Sequence, residues 1–177
     1  ARCIGTTQAY REDTGARLDS EHDDGRHARH ANCLTHGMIG SKRSARRPAM
    51  IVVAEDDRDL RDTLTELLSR EGLPVLGVSS GHRLVSCVAE SLIHPETFGR
   101  IALIIADVKM PGISGLEAMS RVRRCRVETP LVVITANPSI RVEHAAAAVG
   151  AHAVLKKPFK YAQVAEWVRR LVPDPRV

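Results

Sequence analysis

Five polar residues stand at the ends of short hydrophobic runs that are far apart in the sequence. They are Glu55, Asp56, Asp107, Thr135 and Lys157. Carboxylates about 5 Å apart repel by roughly 3 kcal/mol at an effective dielectric constant of about 20, so acids that meet from two runs need a cation. Hard oxygen ligands with open positions suit Mg²⁺, which keeps several waters and often shares a phosphate. The set predicts a divalent-cation site with a hydroxyl and an ammonium group beside it.

The acids also have a simpler interpretation, as solvated residues or helix caps. Asp57 comes just before the helical spacing that starts at Leu60, so we expect it to be the N-cap of that helix. Lys157 by itself would be interpreted as an ordinary surface lysine. The simpler interpretation does not explain why acids, a hydroxyl and an ammonium group all follow hydrophobic runs. The five residues together are therefore interpreted as a site.

Five hydrophobic runs have the length and composition of buried strands. They are MIVVA at 50–54, PVLGV at 74–78, IALIIA at 101–106, LVVIT at 131–135 and HAVLK at 152–156. Each run is followed by a segment with apolar residues at helical spacing, the first of which contains Leu60, Leu64 and Leu67. Because right-handed crossovers place each helix on the sheet, the alternation predicts an α/β fold. We expect a doubly wound five-stranded parallel sheet with helices on both faces and ligands at the carboxyl ends of its strands.

Composition divides the chain near Pro48. Residues 1–49 carry nine Lys and Arg, six acids and few large apolar side chains. So little apolar surface cannot offset an ordering entropy of about 1 to 2 kcal/mol per residue. We therefore predict a disordered basic segment over 1–49, a folded domain over 50–172 and a short C-terminal tail over 173–177. Met50 directly precedes the first strand, so residues 1–49 could also be fused or non-native sequence.

The whole chain has 177 residues, a formal net charge of +5 and 44% hydrophobic residues. No apolar run approaches the roughly 18 to 20 residues that a membrane helix needs, so we expect no membrane span. The four cysteines form no Cys-x-x-Cys pair, which argues against a zinc knuckle or a disulfide framework. A reducing, cytoplasmic location is therefore expected.

Four motifs follow one another along the folded part of the chain. They are VVAEDD at 52–57, IIADVKMPGISGLE at 104–117, VVITA at 132–136 and GAHAVLKKPF at 150–159. With these motifs, residues 50 to about 171 resemble the receiver domain of two-component response regulators, the CheY-like domain. The resemblance implies a flavodoxin-like sheet with strand order 2-1-3-4-5.

The resemblance also implies a metal site. Asp56 and Asp107 would ligate Mg²⁺ together with the backbone carbonyl of Lys109, and Glu55 would act through a bound water. The cofactor expected for this chain is therefore Mg²⁺.

By the same resemblance, Asp107 is the phosphoacceptor, and Thr135 and Lys157 contact the phosphoryl group. The peptide bond before Pro158 is implied to be cis. The donor would be a histidine kinase or a histidine phosphotransfer protein, and the chain would be a conformational switch rather than a turnover enzyme. Output would pass to a downstream effector or to an output domain outside these 177 residues, and a phosphorylation-dependent dimer is possible.

The sequence departs from the family pattern in three places. Val154 stands where an aromatic residue usually rotates inward when the threonine engages the phosphoryl group. The stretch between Asp56 and Asp107 is longer than usual, which predicts a surface loop near 93–99. Lys160 stands where a capping Ser or Asp often begins the last helix, so its first turn is expected to fray.

Two other functions remain open from the residues alone. Asp57 and Asp59 form an Asp-x-Asp pair after a hydrophobic run, as in aspartate-nucleophile phosphatases of the haloacid dehalogenase type. Against that enzyme, Arg61 stands where the family has Thr or Val. A receiver-like interaction module that signals without phosphorylation is the second alternative. Val154 favours it, whereas the intact acids, threonine and lysine argue against it.

The N-terminal segment carries two weaker patterns. The basic run SKRSARR at 41–47 has no interleaved aromatic residue, so we expect a solvated tail rather than a nucleic-acid contact. The cluster of His22, Asp23, Asp24, His27 and His30 has irregular spacing for a metal site, and metal binding there is not expected.

Overall fold

A computed structural model of the chain describes residues 49–172, in which five strands and five helices alternate. The strands are β1 (Met50–Ala54), β2 (Val75–Val78), β3 (Ile101–Asp107), β4 (Leu131–Thr135) and β5 (Ala153–Lys156). The helices are α1 (Arg58–Ser69), α2 (Gly81–Ile93), α3 (Gly115–Arg124), α4 (Ile140–Ala148) and α5 (Tyr161–Leu171). All five predicted strands are present. β2 and β5 start one residue later than predicted, and β3 ends one residue later.

The five strands pair in parallel, in the order β2-β1-β3-β4-β5. Ala54 near the end of β1 lies opposite Ala106 of β3, and Thr135 at the end of β4 lies opposite Lys156 of β5. The carboxyl ends of the strands therefore share one edge of the sheet. Both the parallel sheet predicted from the alternation and the strand order implied by the resemblance are confirmed.

Each face of the sheet is covered by its own hydrophobic cluster. The α2–α4 cluster packs alternate strand residues, such as Val52 and Ile104, against buried side chains of α2, α3 and α4. The α1–α5 cluster packs the intervening residues, such as Val53 and Ile105, against α1 and α5. Successive side chains of a strand point to opposite faces, so strands covered on both sides are apolar along their whole length. This burial explains why the runs are continuously hydrophobic.

Four of the five helices are preceded by an N-cap residue whose side chain accepts a hydrogen bond from the first turn. Asp57 accepts from the backbone nitrogen of Leu60, as predicted, and the other three caps are Ser80, Ser114 and Ser139. The N-cap of the fifth helix is Lys160, whose backbone nitrogen donates to Oε1 of Gln163 at 2.9 Å. The lysine supplies no acceptor, but Gln163 supplies half of a capping box and holds the first turn.

The predicted insertion lies in the connection between α2 and β3. It runs from His94 to Arg100, and residues 92–97 are exposed, so the predicted surface loop is confirmed. Its return to the sheet is held by Ser91, whose hydroxyl donates to the carbonyl of Gly99 at 2.7 Å. The Lys157–Pro158 peptide bond is cis, as the resemblance implied.

Some predictions concern residues outside the described range. The basic run at 41–47, the histidine and aspartate cluster, nearly all of the predicted disordered segment and the C-terminal tail lie there, so they stay predictions. Within residues 49–172, none of the helices combines the length and the apolar character needed to cross a membrane.

Candidate functional site

The carboxyl ends of four strands bring the predicted side chains to one edge of the sheet. Glu55 follows β1, Asp107 ends β3, Thr135 ends β4 and Lys157 follows β5. Because these strands are consecutive in the sheet, the four residues form a row. The structure therefore brings these distant residues together at one edge of the sheet, as the sequence predicts.

Three carboxylates gather at the β1 and β3 end of the row. Side-chain oxygens of Glu55, Asp56 and Asp107 all lie within 4.8 Å of one another. Glu55 is 1% exposed and Asp107 is 5% exposed, whereas Asp56 is exposed to solvent. Clustered carboxylate oxygens with an open side are the ligand type that suits a hard divalent cation, so this cluster could hold one.

Lys157 joins the two buried acids. Its Nζ atom lies 2.6 Å from Oε2 of Glu55 and 3.1 Å from Oδ2 of Asp107. A buried carboxylate is costly unless it is paired and hydrogen-bonded, so the ammonium group accounts for the burial of both acids. It is a single positive charge facing three carboxylates, and negative charge therefore remains in excess.

Burial and pairing shift the pKa values of this pair. Burial raises the pKa of Glu55 above its ordinary value, and the hydrogen bond from Lys157 only partly offsets that rise. Burial lowers the pKa of Lys157, but the hydrogen bond to Glu55 and the charge of Asp107 outweigh it, so that the pKa of Lys157 is raised. The lysine is therefore a firmly charged donor beside Asp107.

The second oxygen of Asp107 is unusual. Oδ1 is buried and has no hydrogen-bond partner within residues 49–172. Leaving a buried acceptor unpaired costs free energy, so this atom indicates a position where another group supplies the missing interaction. A divalent cation suits this carboxylate, because oxygens of Glu55 and Asp56 lie within 4.8 Å of one of its oxygens.

Thr135 and Lys109 complete the set of predicted site residues. Thr135 is 1% exposed, and its hydroxyl oxygen accepts a hydrogen bond from the backbone nitrogen of Asn137 at 3.1 Å. Within the described part of the chain, this hydroxyl makes no hydrogen bond to the three carboxylates. Lys109 is exposed in the loop that follows β3, and ligation by its carbonyl stays a prediction.

The loop after β3 turns back tightly onto Asp107. The nitrogen of Gly115 donates to the carbonyl of Val108 at 3.2 Å, and a Cβ atom built at Gly115 would lie only 2.1 Å from the Asp107 carbonyl oxygen. Met110 and Ile113 are buried and anchor the loop between these two points. The glycine is therefore required by close backbone contact, and it fixes where Asp107 ends the strand.

Arg61 is a contact of the site that the sequence did not reveal. Its Nη1 atom donates to the backbone carbonyls of Glu55 at 2.7 Å and Asp56 at 3.2 Å. In the sequence, this arginine stands out only as a mismatch to a phosphatase pattern. An arginine in the first turn of a helix is a common residue there, and no sequence pattern indicates that it bonds backbone carbonyls preceding the helix.

Val154 packs against the α2–α4 cluster and is half-buried. Its side chain thus lies on the face of the sheet that is covered by α2, α3 and α4 rather than on the face covered by α1 and α5. The position agrees with the place that the resemblance assigned to the switch aromatic residue, although valine has no ring to rotate.

The family model for the response regulator receiver domain matches residues 51–169. The chain belongs to this family. Its receiver domain is also similar to the chemotaxis protein CheY4 of Vibrio cholerae, with a TM-score of 0.60 and 25% sequence identity over 70% of this chain and 98% of CheY4. The Francisella response regulator 1452 receiver domain shares the fold, with a TM-score of 0.61 at 19% identity over 71% of this chain and 97% of that one.

Curated relatives of the receiver domain are response regulators of transcription. The uncharacterized transcriptional regulatory protein YrkP of Bacillus subtilis is 34% identical over 124 residues, which are 68% of this chain and 49% of YrkP. The DNA-binding transcriptional regulator NtrC of Azospirillum brasilense is 34% identical over 122 residues, 69% of this chain and 24% of NtrC. The chain thus spans about half of YrkP and about a quarter of NtrC. Neither the phosphatase nor the phosphorylation-free module is favoured by these relationships.

Proposed function

We propose that this receiver domain accepts one phosphoryl group on Asp107 and acts as a conformational switch rather than a turnover enzyme. The observation that carries the proposal is the state of the Asp107 carboxylate. One oxygen lies 3.1 Å from Nζ of Lys157, and the other is buried with no hydrogen-bond partner within residues 49–172. The carboxylate also lies in a cluster with those of Glu55 and Asp56. A carboxylate is a weak nucleophile unless the charge on the transferring group is stabilised, and the surrounding groups suit that task.

The residues that would hold Mg²⁺ are Asp56 and Asp107, with Glu55 acting through a water molecule and Lys109 through its backbone carbonyl. The acidic cluster and the unpaired Oδ1 atom support this assignment. When bound, the ion would neutralise charge on the phosphoryl oxygens.

The chain's own residues would orient and stabilise the transferring group. As an Asp107 oxygen bonds to phosphorus, the bond from phosphorus to the donor imidazole breaks. The imidazole leaves with the bonding electrons and then takes a proton from solvent. Lys157 already has its charge at the Asp107 carboxylate, where new phosphoryl oxygens would appear. Thr135 would donate its hydroxyl hydrogen, since the contact with Asn137 uses its oxygen only as an acceptor.

The partners follow from this chemistry. The donor would be a histidine kinase or a histidine phosphotransfer protein, and the location would be cytoplasmic. YrkP and NtrC are transcriptional regulators, so we propose an output in the control of transcription, through a partner or a domain outside these 177 residues. A dimer that forms on phosphorylation is one route for that output.

The test is a mass measurement after incubation with acetyl phosphate and Mg²⁺. The wild-type chain should gain one phosphoryl group, and Asp107→Asn should gain none. Asp59→Asn is a matched control, because Asp59 is an exposed acid in the first turn of α1. It should be phosphorylated like the wild type. A phosphoryl group that survives Asp107→Asn, or repeated phosphate release from small monoesters, would overturn the proposal.

A further inference from the structure

Arg61 touches the acidic site through the backbone rather than through the carboxylates. One nitrogen of its guanidinium group bonds the carbonyls of two consecutive residues, Glu55 and Asp56. Both residues carry acids of the cluster. The Glu55 carboxylate is instead bonded by Lys157 from the opposite end of the row. The guanidinium group therefore restrains the loop after β1 and occupies none of the oxygens that face one another.

The aliphatic part of Arg61 is also held in place. It lies over Gly77 of the edge strand β2, where a Cβ atom would come within 3.1 Å of Cγ and 3.2 Å of Cδ of the arginine. Glycine is depleted in strands, and one inside a strand often marks a close approach by another group. Here the approaching group is the Arg61 side chain, so β2 supports the stem while the loop after β1 binds the head.

A side chain fixed at both ends transmits the position of one element to another. The loop residues Glu55 and Asp56 leave β1 at the point where the chain turns into α1, and Arg61 is the fourth residue of that helix. Without it, the carbonyls of these two residues would lose their bonds to the Arg61 side chain, although the Glu55 carboxylate would keep its contact with Lys157. Groups that orient metal ligands affect affinity strongly even though they never touch the ion.

We infer that Arg61 is a positioning residue of the cation site: it fixes the backbone of Glu55 and Asp56 so that their carboxylates meet that of Asp107. The inference rests on the proposed function, because it takes the acidic cluster to be a cation site. The inference predicts that removal of Arg61 weakens cation binding, which is opposite to what simple electrostatics predicts. If Arg61 acted only as a nearby positive charge, its removal would tighten the binding of a cation.

The test is a titration of the full chain with Mn²⁺, followed by the electron paramagnetic resonance of free Mn²⁺, with Mg²⁺ as competitor. Arg61→Met keeps most of the stem over Gly77 and removes every donor, so the dissociation constant should rise about 10-fold. Arg61→Lys should recover part of the affinity. Arg58→Met removes the same charge from a side chain that is 83% exposed and pairs with Asp62, and it should bind like the wild type.

A second variant leaves the arginine in the chain. Gly77→Val should displace the stem and weaken Mn²⁺ binding, and it should add little in the Arg61→Met background. Amide hydrogen exchange of the metal-free chain gives an independent readout: residues 55–57 should exchange faster in Arg61→Met and not in Arg58→Met. Either result supports the inference even if one variant folds poorly.

The outcomes separate the two proposals. Wild-type binding that is lost in Asp56→Asn but is unchanged or tighter in Arg61→Met would overturn the inference and leave the cation site standing. Exchange at 55–57 that matches in Arg61→Met and the wild type would also overturn it. A wild-type chain whose Mn²⁺ binding does not depend on Asp56 would overturn the cation site and the inference together.

Discussion

The ammonium group of Lys157 lies 2.6 Å from Oε2 of Glu55, although 102 positions separate the two residues in the sequence. To make this contact, the lysine reaches from the end of β5 past the ends of β4 and β3 to the end of β1. Neighbouring strands are about 4.8 Å apart, so the contact spans three strand spacings. It holds the two outer members of the row of site residues together.

Lys157→Met should destabilise the domain in the absence of divalent cations. Glu55 and Asp107 would then be buried with no positive charge between them. We expect the free energy of unfolding to fall by about 2 kcal/mol at neutral pH, below the usual cost of breaking a buried pair because 19% of the lysine side chain is exposed. Urea unfolding measures the change. Lys160→Met, at an exposed position, is the control, and an equal loss in both variants would contradict the expectation.

The pH dependence of that difference has a definite sign. Pairing raises the pKa of Lys157 above its ordinary value of 10.5, despite the opposing effect of burial. A group that binds its proton more tightly in the folded state stabilises below its unfolded pKa and loses this effect as the pH rises through its folded pKa. The stability gap between the wild type and Lys157→Met should therefore shrink above pH 10.5. A gap that widens there would show that the charge of Lys157 is not what stabilises the pair.

Gly115→Ala should disturb the end of β3. Its Cβ atom would lie 2.1 Å from the Asp107 carbonyl oxygen, a distance that forces the backbone to shift. Overpacking of this kind costs about 3 kcal/mol, and the displaced Asp107 should accept phosphoryl from acetyl phosphate more slowly. Gly77→Ala is a milder control, since its nearest neighbour is an arginine stem at 3.1 Å. If thermal unfolding gave the same loss for both variants, the close contact at Gly115 would not explain it.

Arg123→Met should lower stability without changing phosphorylation. The guanidinium group of Arg123 donates to the carbonyls of Val127, Thr129 and Val149, and so ties the loop before β4 to the end of α4. Hydrogen bonds from a charged donor contribute about 1.5 to 3 kcal/mol each, and part of this is recovered by water in the variant. We expect a net loss of about 2 kcal/mol in urea.

The neighbouring Arg124→Met provides the comparison for Arg123→Met. Arg124 is exposed, so its replacement should change stability by less than about 0.5 kcal/mol. The extent of phosphorylation by acetyl phosphate should equal that of the wild type in both variants. Reduced phosphorylation in Arg123→Met would connect α4 to the site more directly than the hydrogen bonds indicate.

Val154→Tyr should enlarge the response to phosphorylation. Val154 is half-buried against the α2–α4 cluster, and a ring in its place could move when Thr135 engages a phosphoryl group. With beryllofluoride and Mg²⁺, the amide spectrum of residues 140–149 should change more than in the wild type. Val154→Leu adds volume without a planar ring and serves as the control. A larger change in the leucine variant would show that bulk, rather than the ring, governs the response.

The sheet and the row of site residues were predictable because both follow from hydrophobic pattern. Buried strands are marked by apolar runs, and a parallel sheet places all their carboxyl ends on one edge. The acids after β1, the aspartate at the end of β3 and the lysine after β5 therefore had to lie on the same edge. The strand order that brings them into contact was implied by the family resemblance. The exact end of β3 was missed by one residue, since a buried aspartate that ends a strand looks like the first residue of a loop.

The contacts that the sequence did not reveal join side chains to distant backbone atoms. Arg61 and Arg123 bond loop carbonyls, and the hydroxyl of Tyr161 lies 2.7 Å from the carbonyl of Leu67. Such partners depend on how loops run once the helices are packed. Every residue has a carbonyl, so no residue type marks the acceptor, and an arginine or tyrosine on a helix surface looks like any solvated side chain.

Neighbouring residues of β5 face different helical layers. Val154 packs with the cluster beneath α2, α3 and α4, whereas Leu155 belongs to the cluster beneath α1 and α5. The sheet thus separates the two helical layers, and each of these two residues packs against only one of them. A rearrangement that starts at position 154 would therefore change the packing in the layer that contains α4. It would leave the apolar packing of α1 against α5 unchanged.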